Sequence, residues 1–489
     1  MEMKTHSVKF NFIMNAIFTV SSIIFPLITF PYISRVLLVE RSGTVSFATS
    51  VISYFTMFAT LGIPTYGVRA CAVVRDDKEK LSKTVQELLI ISAVTTAITY
   101  IVFFILLFAV PQFAAEKKLL MVVSISIGLT AIGVQWFYNA LEQYSYITTC
   151  AIIFKLIGLI LMFLFVKDPG DYVVYGGIYV VGSFGSYVLN FIRLRKFITF
   201  RKIGTYELKK HIGATLRFFL LSAATSVYLN LDIVMLQFMK GDTEVGYYNA
   251  GIKVKTVLVS CVTSLGTVLL PRLSYYVQNG NKEAFQKMVR KAFNFVFVAA
   301  TAVTIYFALY AEESILFLAG EAFLPATAPM IILMPTVLLI GLSNITGFQA
   351  LTPVGQEVKV VYSVTAGAVL DFAFNLVLIP NFGAAGAAFA TLMAEVLVLV
   401  VQCVYLRDQI GGMLKGIQFW KIITAAVFAA GAGIVIHIFT DFGVFLTLVV
   451  SAIAFFGVYG IVLLVLKEKI IMEIMQSVVG LFNKMRSQR

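Results

Sequence analysis

Along most of the chain, apolar residues continue for twenty positions or so at a stretch, and short polar segments separate one run from the next. A run of about 20 apolar residues is the length of a helix that crosses the hydrocarbon core of a bilayer. A membrane β-barrel would instead show segments of roughly ten alternating residues, and in hydrocarbon only helices or closed barrels satisfy every backbone group. The pattern therefore predicts an all-α, polytopic helical membrane protein with about fourteen transmembrane helices. The first six predicted spans are Asn11 to Ile33, Gly43 to Tyr66, Glu87 to Val110, Leu119 to Ala140, Ile147 to Val166 and Tyr172 to Leu194. The next six are Ile212 to Met239, Val245 to Leu270, Ala292 to Tyr310, Phe323 to Gly347, Val360 to Ile379 and Gly383 to Tyr405. Phe419 to Ile438 and Phe442 to Leu466 complete the set.

Composition agrees: of 489 residues 60% are hydrophobic and 13% charged, with a mean hydropathy of +0.92. No connection between spans is long enough to house a soluble catalytic domain. The charge is unevenly placed. Lys and Arg are retained on the cytoplasmic side of a membrane, and most of them fall in alternate connections: Arg69 to Lys83, the cluster Arg193, Arg195, Lys196, Arg201, Lys202, Lys209 and Lys210, the loop Arg272 to Lys291, and a tail with Lys467, Lys469, Lys484, Arg486 and Arg489. The other connections carry Asp168, Asp171, Glu312, Glu313, Glu321 and Asp441. Both termini are thus expected in the cytoplasm, the first helix uncleaved. The net charge of +13 reads as a topology signal, and no nucleic-acid partner is expected. Cys71, Cys150, Cys261 and Cys403 are too dispersed for a disulfide framework or a zinc site, and His6, His211 and His437 are equally scattered, so no metal is expected.

Weak internal similarity divides the chain. Gly43, Leu61-Gly62 and Arg69 are matched at the same glycine-to-arginine spacing by Gly246, Leu265-Gly266 and Arg272, and Glu142 and Leu194-Arg195 by Glu357 and Leu406-Arg407. Six helices is an even number, so the halves would be parallel repeats of the kind some transporters use. The expected organisation is an N-terminal lobe over 1-200 (helices 1-6) and a C-terminal lobe over 201-410 (helices 7-12). Residues 411-489 then hold two extra C-terminal helices and a basic cytoplasmic tail.

Ionisable residues inside a membrane are costly and mark function by default. Those within predicted spans are Lys155, Arg217, Asp232, Lys253, Lys255, Asp371 and Glu395. Asp232 and Lys253 lie at one depth on consecutive helices and could pair, while Lys253 and Lys255 are too far apart around a helix to point into one cavity. Two readings stay open: a cationic cavity for a diphosphate or acidic sugar, or a structural ion pair with snorkelling stems. Asp371 and Glu395 are candidates for a coupling ion or for an acid hydrogen-bonded within the bundle. Pro26 and Pro31 each remove a backbone donor and kink the first helix.

The stretch Pro31-Tyr32-Ile33-Ser34-Arg35-Val36-Leu37, then Gly43, then Leu61-Gly62-Ile63-Pro64-Thr65-Tyr66-Gly67-Val68-Arg69, resembles the amino-terminal signature of the bacterial polysaccharide flippases. These are the O-antigen, capsule and exopolysaccharide repeat-unit transporters of the multidrug/oligosaccharidyl-lipid/polysaccharide exporter superfamily. Trp136-Phe137-Tyr138, Glu142, Lys155, Asp232 to Leu236, Gly246-Tyr247-Tyr248, Lys253, Leu270 to Ser274, Pro353, Gly355, Asn375, Leu378-Ile379-Pro380 and Gly383 to Ala388 continue it. Two departures stand out: Leu38-Val39 where the family usually has Gly-Pro, and Ala140 where glycine is common.

The resemblance implies a flippase, not an enzyme, that carries an undecaprenyl-diphosphate-linked oligosaccharide from the cytoplasmic to the outer face of the bacterial cytoplasmic (inner) membrane by alternating access. Lys155, Lys253 and Arg217, with Arg35 and Arg69 at the rims, would hold phosphate and sugar acids by charge-assisted bonds. Asp232, Asp371 and Glu395 would serve ion coupling or ion pairing, the coupling ion being H+ or Na+, with no other cofactor. The implied partners are the lipid-linked glycan, the bilayer and the polysaccharide polymerase machinery, the chain itself being a monomer. The rivals are an ion-coupled multidrug or small-molecule antiporter of the same superfamily and a membrane-embedded glycosyl transfer enzyme.

Overall fold

The computed structural model describes residues 8–439, 442–473 and 475–476. His6, Asp441, Lys484, Arg486 and Arg489, weighed in the charge pattern, lie outside them. The described residues form helices and connecting turns with no strand, as the apolar runs predict. The chain makes two compact units that meet within one helix, the first ending at Asn249 and the second beginning at Ala250.

The first unit contains α1 (Val8–Thr60), α2 (Ile63–Val73), α3 (Lys78–Ala109), α4 (Pro111–Ala115), α5 (Lys117–Ile132), α6 (Gln135–Ala140), α7 (Tyr144–Phe165), α8 (Tyr172–Phe184), α9 (Ser186–Leu194), α10 (Leu208–Met239) and the start of α11 (Asp242–Gln278). Its two apolar cores centre on Leu37, Phe47, Phe103 and Leu120, and on Cys71, Val85, Phe137 and Leu194. Between helices surrounded by lipid, association depends on close packing, which small residues permit. Glycines act in this way here: a side-chain carbon added to Gly158 of α7 would lie 3.1 Å from the Cα of Gly182 on α8.

The second unit holds the rest of α11, then α12 (Lys282–Leu309), α13 (Ala311–Ala319), α14 (Thr327–Asn344), α15 (Glu357–Tyr405), α16 (Arg407–Leu414), α17 (Phe419–Phe439) and α18 (Val444–Val465). A π-helical segment, Ile345–Leu351, extends α14. The last two helices are fastened to α12 by tyrosines. Tyr306 donates to the Leu448 carbonyl at 2.8 Å, Tyr310 to the Gly433 carbonyl at 2.7 Å, and Tyr459 of α18 donates back to the Val298 carbonyl at 2.9 Å. Each phenol exchanges a costly buried donor for a bond to a main-chain oxygen.

Among the described residues ten helices are long and apolar enough to cross a membrane, or eleven if the bent α10 is one span. The predicted count of fourteen places two spans in α1 and two in α15, both broken in the middle, and one in α11, which is not among those ten or eleven. Gly383 breaks α15 with a positive φ of 53°, a region glycine enters at little cost. Leu38 breaks α1 with φ 60° and ψ −175°. That conformation is essentially confined to glycine and costs another residue about 1–3 kcal/mol. Leu38-Val39 is one of the two departures from the pattern the sequence resembles, standing where that pattern has Gly-Pro, so a leucine here holds a backbone geometry suited to glycine. At Ala140, the other departure, the backbone is ordinary helix.

Leu38→Gly should therefore raise stability. The side chain is 46% exposed, so little packing is lost, and the relief of strain exceeds the roughly 0.5–1 kcal/mol of added chain entropy. Thermal unfolding in detergent measures this, with an increase of about 1 kcal/mol expected; a lower midpoint in the variant would refute the strain.

Candidate functional site

The first helix supplies the setting for Lys155. Pro26 has no N–H, so the Ser22 carbonyl one turn earlier lacks its helical partner. The hydroxyls of Ser21 and Ser22 turn back to the Phe18 carbonyl, donating at 2.7 and 2.9 Å. Their lone pairs are then left to the Lys155 ammonium of α7, which donates to Ser21 at 3.1 Å and to Ser22 at 2.8 Å. The rings of Phe18 and Phe25 lie 5.3 and 5.8 Å from the same nitrogen, within cation–π range.

Lys155 is thus solvated by neutral groups and neutralised by none. No carboxylate lies within ion-pair distance of it among the described residues, and its third N–H is uncommitted. Ser22 also belongs to a polar face of α1, with Asn15 and Thr19 exposed at helical spacing. Polar side chains exposed within a membrane span belong beside water or a polar solute, because lipid cannot satisfy them.

The other predicted cations are placed differently. Arg35 folds back on its own helix, donating to the Pro31 carbonyl at 2.7 Å. Arg69 on α2 and Arg217 on α10 are exposed, whereas Lys253 and Lys255 on α11 are half-buried. Lys253 has no hydrogen bond or ion pair among the described residues. Within the first unit, buried Asp232 accepts a hydrogen bond from the Tyr248 phenol. In the second unit Asp371, Asn375, Thr391 and Glu395 are all buried on the two limbs of α15, and none of them is free. Nearby on those limbs, Gln402 donates to Ser363 at 3.0 Å and accepts from Thr346 of the π-helical segment.

A buried charged group at the basic end of α3 escaped the sequence reading. Glu87 faces His211 at the start of α10, Oε2 to Nε2 2.8 Å, and the other ring nitrogen meets the Tyr66 hydroxyl at 2.8 Å. Glu87 Oε1 accepts the Glu207 backbone N–H at 2.7 Å, and Lys83 lies 3.9 Å away. Next to them Gln86 donates to the Thr199 and Arg201 carbonyls at 2.6 and 3.0 Å. The long basic connection before α10 is pinned to α3 by these bonds. The scatter of the histidines along the sequence hides this role of His211, because its acid partner comes from another helix. Among the described residues no three His, Cys, Asp or Glu side chains gather as they would around a metal ion.

Comparison with known proteins places this arrangement in a family. The family model described as "Polysaccharide biosynthesis protein" matches residues 8–277, more than half of the chain. The chain belongs to the polysaccharide biosynthesis protein family. This is the polysaccharide flippase family of the superfamily its signature residues resemble. One relative is the Escherichia coli (strain K12) protein named "Putative O-antigen transporter", 24% identical over 408 residues, covering 82% of this chain and 97% of that one. The fold of this family member is similar to that of the lipid II flippase MurJ in an inward closed conformation, with TM-score 0.74 at 14% identity over 92% of this chain and 98% of that chain. It is also similar to an inward-facing multidrug resistance MATE family transporter of the MOP superfamily, TM-score 0.60 at 12% identity, over 81% and 99% of the two chains. The helical fold of the family member is shared with these two solved structures.

Removing one partner from a buried charged cluster leaves the other uncompensated, which costs about 3–5 kcal/mol. Glu87→Ala should lose stability on that scale. Glu87→Gln, which keeps an acceptor for the Glu207 N–H, should lose less. Equal, small losses for both variants in thermal unfolding would show that the cluster does not hold α10.

Proposed function

We propose that this protein is a flippase, not an enzyme, that moves undecaprenyl-diphosphate-linked oligosaccharide repeat units from the cytoplasmic to the outer face of a bacterial cytoplasmic membrane for surface polysaccharide biosynthesis. The observation that carries the reading is Lys155: a cation within a predicted span, beside a hydroxyl-lined helix face, with neutral neighbours and an uncommitted N–H. A phosphate or sugar acid supplies the countercharge that Lys155 lacks, adding to the charge-assisted bond a Coulombic attraction that a hydroxyl acceptor does not give. The exposed Asn15 and Thr19 suit sugar hydroxyls on the same face. Membership of a polysaccharide biosynthesis family and similarity to a protein named as an O-antigen transporter support the substrate class.

In this reading both termini are cytoplasmic, and two six-helix lobes, 1-200 and 201-410, alternate access. Lys253 and Arg217 join Lys155 in binding the anionic headgroup, and Arg35 and Arg69 serve at its entry and exit. Asp232, Asp371 and Glu395 carry the coupling H+ or Na+. The chain works as a monomer alongside the polymerase machinery.

Deletion of the gene should make a complete repeat unit accumulate on its lipid carrier and should abolish surface polymer. Complementation with wild type restores export, and Lys155→Ala or Lys253→Ala should lower it at least tenfold at normal membrane levels. Extraction of lipid-linked saccharides measures this. Undiminished export by Lys155→Ala would remove that residue from the mechanism. Normal surface glycan without accumulated intermediate would favour the antiporter of drugs or small molecules.

A further inference from the structure

At the acid-bearing end of the first unit, four connections meet. Past its break at Leu38, α1 brings Glu40, Arg41 and Gly43 against the turn that opens α11. Contact is backbone to backbone. A side-chain carbon on Gly43 would fall 1.9 Å from the Asp242 carbonyl oxygen, and one on Gly246 would fall 2.4 Å from the Val39 carbonyl oxygen. Beneath it the rings of Phe47 on α1, Phe113 on α4 and Phe238 on α10 meet with centroids 6.0–6.3 Å apart.

Around this contact acids outnumber bases. Arg41 reaches Glu116 Oε1 at 3.5 Å and lies 4.7 Å over the Tyr172 ring. Glu40 and Asp242 act on Glu116 as like charges, and Glu40 acts on Asp242 likewise. The groups facing Glu116 are therefore Tyr172, Arg41, Asp242 and Glu40, and those facing Asp242 are Thr44, Gln237, Glu40 and Arg41. One guanidinium serves both Glu116 and Asp242. Glu116 Oε2 and Asp242 Oδ1 are each buried with no hydrogen-bond partner.

We propose that this glycine contact is a proton-controlled closure, sealed when Glu116 and Asp242 are protonated and loosened when both ionise. A protonated carboxyl removes the repulsion between Glu116, in the turn before α5, and Asp242 at the start of α11. Burial, above all, raises both carboxyls above their ordinary range; the Tyr172 hydroxyl and Arg41 oppose this at Glu116, and Thr44 and Gln237 oppose it at Asp242. Folded-state values above the unfolded ones mean that the closed form has its full stability below the ordinary carboxylate range. It loses that stability as pH rises through the raised values. The inference rests on the flippase reading only in placing this end at the outer face, where external acidity would then hold the transporter shut to the outside.

The test is a distance, read without substrate. Spin labels at Leu38→Cys and Thr243→Cys, both exposed, are introduced into otherwise cysteine-free protein in nanodiscs and measured across the range from about pH 4 to about pH 8. The expected result is a short, narrow distance in acid that lengthens and broadens at the higher pH. Glu116→Gln with Asp242→Asn should lose that response and stay short throughout. An unchanged distance in the protein carrying both native acids overturns the proposal without need of any variant, and so does a neutralised variant that still responds. Because no glycan enters the measurement, a failed export assay alongside an intact pH response would refute the flippase reading and leave the closure standing.

Discussion

Inside a bilayer no water is available to take up a broken backbone hydrogen bond, so a helix there stays continuous unless something else satisfies or excuses the break. The functional geometry of this protein is organised around the places where its helices do break. Pro26 frees the Ser22 carbonyl, and on the turn beside it two serine hydroxyls hold Lys155. Leu38 turns the chain at a cost in strain, and just past it α1 lies against α11 with no room for a side chain at Gly43. Leu61 and Gly62, both at positive φ, separate α1 from α2, and Gly62 lies against the Thr215 and Phe219 backbone of α10. In the second unit the break at Gly383 lets two limbs of one helix carry buried polar residues.

The same low dielectric decides how charges are kept, and three solutions coexist in the first unit. Glu87 is paired and hydrogen-bonded on every side, the arrangement of a structural lock. Asp232 is given a phenol, a donor without charge. Lys155 receives hydroxyls and ring faces, which lower the cost of burying an ammonium and leave its charge uncancelled. A group of this last kind gains most when an anion arrives, so it is better suited to a passing ligand than to permanent stability.

The bond to an acidic partner is also what separates the two ends of the first unit. At the basic end, one histidine and one lysine meet Glu87, and the connection before α10 is pinned. At the acidic end, Arg41 is shared between Glu116 and Asp242, and two carboxylate oxygens have no donor. The first arrangement has a partner for each oxygen of its carboxylate. The second changes its balance of charge as protons bind.

Much was legible in the chain alone, for definite reasons. Apolar runs of membrane-spanning length determine helices because lipid permits little else, and family words such as Gly43, Leu61-Gly62 and Gly383 mark the breaks because few residues tolerate those backbone angles or approaches. Lys155 was legible as a charge where charge is expensive. Its neutral shell of Ser21, Ser22, Phe18 and Phe25 was not, since those residues belong to a helix more than a hundred positions earlier. The union of Glu87 with His211 and the crowding of Glu116 against Asp242 were likewise invisible, each carboxylate lying beside an ordinary boundary in sequence. Hydropathy acts locally along the chain and so survives in sequence; pairing is a matter of distance between helices, and only tertiary packing decided which buried charges met a partner.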